Sequence, residues 1–414
     1  MNIKIENIIK ASHRLNGVIG TTPLQYNANL SEKYEANIYL KREDLQIVRS
    51  YKIRGAYNLM CNLTAAERKK GIVCASAGNH AQGVAFSCYI LQIQGKIYMP
   101  TTTPLQKIKR VKGLGKDKVE VILIGDTFDE AYEQAVVDGK QNDKIFVHPF
   151  NDLKIIEGQA TIGIEILNDF RGKIDYVFMP IGGGGLSAGV GSYFKMISPN
   201  TKIIGVEPAG AASMSASLEK GKVVTLESID TFIDGAAVKR VGDLNFSICQ
   251  KVLDDIALVP EGKACTYILS TYNDDAIVVE PAGILSVAAL DFYKDEIKGK
   301  NVVCVISGGN NDIERMPEIK ERSLIYEGLK YYFIVVFPQR SGALREFLDT
   351  VLGPNDDITY FEYTKKTSKG KGPALIGIEL QKKENYIGLV ERMKAHSFEY
   401  INVNEKPNLF RFLI

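Results

Sequence analysis

Along the first 320 residues, short apolar runs alternate with longer stretches whose apolar positions recur at helical spacing. The runs at residues 38–40, 71–75, 94–99, 119–124, 176–180, 202–206 and 302–306 predict strands. Residues 55–62, 81–91, 127–140 and 158–168 predict helices among them. Strands that are apolar on both faces and separated by helices point to parallel sheet in an α/β fold. Spread over so long a chain, they predict two sheets rather than one core.

The texture changes near Arg315. Residues 317–330 are charged and helical, and a different order follows. Strands are expected at 331–337, 358–364 and 374–380, helices at 341–351 and 384–395, and a last apolar strand at 409–414. A polar loop at 365–372 joins the middle strands. The order βαββαβ predicts a ferredoxin-like module, which serves as a ligand-binding or dimerising unit when appended to an enzyme.

Composition removes several function classes. Fifty-one basic and 49 acidic residues leave a net charge of +2, so no polyanion-binding surface and no nucleic-acid partner is expected. No signal-peptide pattern opens the chain, and no membrane association is expected. The longest uncharged stretch, 176–194, contains Pro180 and six glycines, and reads as strand, turn and helix. Six cysteines without a CxxC pair, several inside apolar runs, suit a reduced, cytoplasmic setting. Four scattered histidines offer no ligand spacing, so no metal is expected.

Three polar or glycine-rich turns stand directly after predicted strands. They are Ser76-Ala77-Gly78-Asn79-His80, Gly182-Gly183-Gly184-Gly185-Leu186 and Ser307-Gly308-Gly309-Asn310-Asn311. In parallel sheets, ligands bind at the carboxyl ends of strands. Four consecutive glycines opening a helix let several N–H groups converge into an anion cradle. A rival reading takes Gly183 to Ala188, with Glu207 closing the next strand, as a dinucleotide fingerprint and hence a nicotinamide-dependent dehydrogenase. The fourth piece is Ser50-Tyr51-Lys52-Ile53-Arg54-Gly55-Ala56. A lysine at a helix start is disfavoured by the dipole, and burial would lower its pKa, which makes Lys52 a candidate for Schiff-base chemistry.

Together these pieces resemble the fold type II (β-family) pyridoxal-phosphate enzymes, and most closely the biosynthetic threonine dehydratases. The similarity runs from Thr21-Thr22-Pro23-Leu24 through Lys41-Arg42-Glu43-Asp44-Leu45-Gln46 to about Asp312. Residues 337–344 with Leu352-Gly353-Pro354 resemble the ACT-like regulatory domain of the same enzymes. The resemblance implies a two-lobed, tryptophan synthase β-like catalytic domain at 1–320, its small lobe at about 45–147. It also implies a regulatory domain at 321–414, with a helical linker at about 314–330. Pyridoxal 5'-phosphate would be held by Lys52, Tyr51, Asn79, Gly182 to Gly185, Leu186 and Ser307, with Asn79 at the phenolic oxygen and Ser307 at the ring nitrogen. Ser76, Ala77, Gly78 and His80 would contact substrate.

The implied reaction is dehydration and deamination of L-threonine to 2-oxobutanoate and ammonia, the first step of isoleucine biosynthesis, with L-serine as a second substrate. Feedback by isoleucine or valine, and a homotetramer or homodimer, are implied as well. Serine racemases share these motifs but carry a hydroxyl base where this chain has Ala77. They also have an acid after the Glu-Pro pair, where this chain has Ala212 and Ser213, so elimination is expected over racemisation.

Overall fold

The computed structural model describes residues 3–363 and 370–410. The chain divides into two compact units, residues up to Glu261 with Thr271–Asn311, and Gly262–Ser270 with the residues from Asp312 onward.

The first unit contains two sheets. One runs β1 (Leu24–Tyr26), β2 (Asn37–Arg42), β10 (Asn301–Ile306), β7 (Tyr176–Pro180), β8 (Lys202–Pro208) and β9 (Asp255–Val259) in spatial order. All its pairings are parallel except the β1–β2 edge. The other is an all-parallel sheet ordered β5 (Val119–Leu123), β4 (Gly95–Met99), β3 (Ile72–Ala75) and β6 (Ile145–Phe146). Two sheets are therefore present, as the alternation of apolar runs predicts, one all-parallel and the other parallel but for its β1 edge. Every residue of β3 is buried, and the helices Lys52–Cys61 and Asn79–Leu91 supply Ala56, Met60, Val84 and Cys88 to the core on that sheet. Cys74, Cys88, Cys249, Cys265 and Cys304 are buried, and all six cysteines are unbridged. They act as small apolar fillers.

The 176–194 stretch resolves into β7, a glycine turn and the helix Gly185–Ile197. Among the described residues no helix is long and apolar enough to cross a membrane.

The second unit carries a sheet ordered β12 (Asp357–Tyr363), β13 (Lys371–Glu379), β11 (Lys330–Pro338) and β14 (Glu399–Asn402), antiparallel throughout. The helices Ala343–Thr350 and Asn385–Ala395 pack Phe347, Leu389 and Met393 against Phe333, Phe337 and Ile376. The predicted order βαββαβ is met, with one correction. The last strand is Glu399–Asn402, not 409–414: Leu409 and Phe410 lie in a short helix, Pro407–Phe410, and 411–414 fall outside the described residues. Most of the expected 365–372 loop lies outside them too, while residues from Lys371 already belong to β13.

Candidate active site

Lys52 is the first residue of its helix, and the segment before it is stitched to the third polar turn by main chain. Ser50 bridges Gly308, Tyr51 N–H donates to the Ser307 carbonyl (3.1 Å), and Gly309 N–H donates to the Arg49 carbonyl (2.9 Å). Arg49 takes φ +54° to make the entry. Beneath the helix, Arg54 and Glu43 form a buried pair at 2.7 Å, extended by Glu165 to Arg54 (2.6 Å) and to Lys41 (2.7 Å). The Lys41 to Gln46 motif thus serves largely as a clamp that fixes where the Lys52 helix begins. Breaking such a network strands an unpaired charge in a dry interior.

The Lys52 amine donates to the Pro149 carbonyl at 3.3 Å and lies 5.4 Å from the centre of the Tyr51 ring. Burial lowers it to about 8, against the opposing pull of the Glu280 carboxylate. Two imidazoles close the pocket on one side. His80 is buried with Nε2 at 2.9 Å from the Val147 carbonyl. His148 Nδ1 accepts N–H bonds from Phe150 (3.2 Å) and Asn151 (2.9 Å). Burial first, and the nearby Lys52 amine second, lower His80 to about 3 and His148 to about 4, so both are neutral rings.

The glycine turn meets this wall through Phe150. That ring packs edge-on against His148, with centroids 4.7 Å apart. A Cβ on Gly183 would stand 2.2 Å from it. Gly184 sits at φ +87°, with room for no side chain beside Met214. Asn245 Nδ2 donates to the carbonyls of Gly183 (2.6 Å) and Phe150 (3.2 Å), fixing the turn from behind. The first N–H groups of the helix Gly185–Ile197 have no acceptor within the helix, and the buried Ser187 hydroxyl has no partner among the described residues. A neutral cradle with an orphaned hydroxyl fits a phosphate held by backbone amides. The buried Ser50 hydroxyl, beside Lys52, is unpartnered in the same way. These residues fit pyridoxal 5'-phosphate.

The first turn closes the ring of contacts. Gly78 N–H donates to Ser76 Oγ (3.2 Å), and Gly78 caps the helix Asn79–Leu91. Asn79 Nδ2 donates to Glu280 Oε1 (2.6 Å), while Asn79 Oδ1 accepts from Asn310 Nδ2 (2.7 Å). The first and third turns and the Lys52 segment are thereby linked directly, and the glycine turn joins them through Phe150 and Pro149, with Ser307 buried just past the end of β10. Of the residues expected to touch substrate, Ser76, Ala77 and Gly78 keep partial exposure whereas His80 is turned to Val147. Glu280, Asn310, Phe150, His148 and Asn245 escape the sequence reading: His148 and Phe150 follow a two-residue strand too short to stand out, Asn310 lies in the third turn without a role of its own there, and Glu280 and Asn245 belong to no turn after a strand.

The dinucleotide reading fails on Glu207. Both its oxygens accept backbone N–H bonds, from Met214 (2.7 Å) and Ser215 (2.8 Å), at the start of the helix Ser213–Lys220. Burial pushes this carboxyl up to about 7. Fully buried and turned to that helix, it does not face a ribose hydroxyl.

Comparison with known proteins agrees with this geometry. Residues 15–308 match the family model for pyridoxal-phosphate dependent enzymes, and residues 321–413 match that for the C-terminal regulatory domain of threonine dehydratase. The chain is 61% identical to the biosynthetic L-threonine dehydratase IlvA of Halalkalibacterium halodurans, over 100% of this chain and 99% of that one. It is 60% identical to the same enzyme of Bacillus subtilis, over 100% and 98%. Among solved structures, the processed form of threonine deaminase isoform 2 from Solanum lycopersicum is 42% identical with a TM-score of 0.73, covering 78% of this chain and 95% of that chain. Serine racemase from Dictyostelium discoideum is 29% identical with a TM-score of 0.69, covering 75% and 99%.

Proposed function

This chain belongs to the pyridoxal-phosphate dependent enzymes and, within them, to the biosynthetic threonine dehydratases, and from that we propose that it converts L-threonine to 2-oxobutanoate and ammonia. The observation that carries the reading is the junction of three turns around one half-buried lysine. Lys52 Nζ would hold the cofactor, the Gly182 to Leu186 turn its phosphate, Ser307 its ring nitrogen and Asn79 its phenolic oxygen. Tyr51 packs beside the lysine. When bound, pyridoxal phosphate supplies an electron sink that weakens the bonds at the amino acid's Cα.

The protein's own groups do the rest. Substrate carboxylate docks on the Ser76 hydroxyl and the N–H groups of the Ala77-Gly78-Asn79 turn, at the positive end of the helix Asn79–Leu91. An amine near 8 is a base matched to neutral solution, so the Lys52 amine, freed when the amino group of the substrate takes its place, takes the Cα proton. The Cβ–O bond then breaks, and the hydroxyl leaves as water with the proton that Lys52 took from Cα. The released enamine hydrolyses to the 2-oxo acid and ammonia. Ala77 offers no hydroxyl to return a proton from the opposite face, which favours elimination over racemisation. Ser307, a neutral hydroxyl rather than a carboxylate, would stand at the ring nitrogen, a choice that suits elimination of a β-leaving group.

The second unit gives the reaction its control. A ferredoxin-like fold that matches a threonine-dehydratase regulatory domain supports feedback by isoleucine, the end product of the pathway. We place the enzyme in the cytoplasm as a homotetramer or homodimer. The test is a steady-state assay of 2-oxobutanoate and ammonia from threonine and from serine, with and without isoleucine or valine. Stoichiometric products from threonine, at a rate isoleucine lowers, are expected. Racemised serine formed as fast as 2-oxobutanoate from threonine would overturn the reading.

A further inference from the structure

Glu280 sits at the N-cap of the helix Pro281–Ala288, is 7% exposed, and makes no side-chain bond to that helix. Short polar residues cap their own helices, whereas this longer carboxylate reaches away. Oε1 accepts from Asn79 Nδ2 at 2.6 Å and Oε2 from Asn310 N–H at 3.3 Å. A Cβ on Gly308 would stand 2.3 Å from Oε1, so the glycine leaves the carboxylate its place. Asn310 Nδ2 grips the other end of the same amide, and also donates to the Val48 carbonyl (2.8 Å).

The side-chain amide of Asn79 has one acceptor oxygen and two N–H donors. Its oxygen is taken by Asn310 and one N–H by Glu280. A single N–H remains, and with an acceptor oxygen opposite the nitrogen and the Asn310 amide, itself tied to the Val48 carbonyl, donating to the oxygen, the amide cannot turn over without losing both bonds. We propose that Glu280 is a positioning residue for Asn79, presenting that remaining N–H to the cofactor. The inference rests on the proposed function, in which Asn79 contacts the cofactor. The charged groups around Glu280 are Asp234, Lys107 and Lys52, with the Tyr51 hydroxyl also near. Lys107 and Asp234 pair with each other at 2.8 Å, so Asn79 and the Asn310 N–H are left as its hydrogen-bonding partners.

Two conservative variants separate reach from charge. Glu280→Gln keeps the length and an oxygen for Asn79 but loses the charge. Glu280→Asp keeps the charge but withdraws it by one methylene. In the full-length protein, three quantities are to be measured: affinity for pyridoxal phosphate by titrating apo-protein, the position of the visible band of the holoenzyme, and kcat and KM for threonine. Thermal unfolding of each variant serves as a folding control. The expected result is an E280D variant about tenfold weaker for the cofactor and about 10–100-fold lower in kcat, with a displaced visible band and little change in KM. E280Q is expected within about threefold of the wild type. In an Asn79→Ala background, E280D should cost nothing further, since the group it positions is gone. Equal losses in both variants, the reverse order, no loss in either, or full additivity with Asn79→Ala would overturn the inference while leaving an active wild type, and hence the functional reading, intact. A wild-type chain that binds no pyridoxal phosphate would instead sink the functional reading and this inference with it.

Discussion

His80 and His148 are held neutral by burial and by the Lys52 amine they flank. An unfolded histidine takes up a proton near pH 6.5. Below that pH the unfolded chain gains protons that the folded site refuses, so the contribution of these rings to stability is lost as pH falls from about 6.5 towards 4. In NMR of the protein, the ring signals of His80 and His148 are expected to stay unmoved between pH 8 and 5. A titration of either near 6.5 would contradict the account of the pocket. The same burial acts on Lys52 in the same sense, freeing an amine at modest pH. In apo-protein, labelling of Lys52 by an amine-directed reagent should reach half its maximal rate near pH 8, about two units below an exposed lysine.

At the level of elements, the glycine turn and the buried ion network carry separate burdens. Gly184→Ala would force a Cβ into a left-handed backbone 2.7 Å from Met214 Cε. A loss of about 1–3 kcal/mol in stability is expected, with weakened cofactor affinity, both measurable by denaturant titration with and without pyridoxal phosphate. Arg54→Met leaves Glu43 buried and unpaired, and should cost about 3–5 kcal/mol in the same titration.

Much of this architecture is legible in the sequence, and the exceptions have physical reasons. Central strands such as β3 and β10 announce themselves because both faces are apolar. The three-residue β1, the two-residue β6 and the edge strand β9, whose burial alternates, do not. β14 is hidden because its buried face at Asn402 is polar, while the apolar end that follows it drew the expectation instead. Lys52 and the glycine turn could be found because local spacing betrays them. Glu280 could not, since its bond to Asn79 closes across 201 positions and nothing near it in sequence says which way the carboxylate turns.

At the scale of the whole molecule, the proposed catalysis and its proposed control fall in separate units. The catalytic groups named above all lie in the first unit, and the ferredoxin-like sheet lies wholly in the second. Removing the chain from Leu324 onward should therefore leave threonine deamination measurable and abolish its inhibition by isoleucine. Inhibition that survives the deletion would place the effector elsewhere. The central claim is that one lysine, at the meeting of three turns, carries the cofactor. Borohydride reduction of the purified holoenzyme, followed by peptide mass mapping, tests it most directly. The account predicts loss of the visible band and the added pyridoxyl mass on Lys52 alone; a colourless protein, or label on any other lysine, would contradict it.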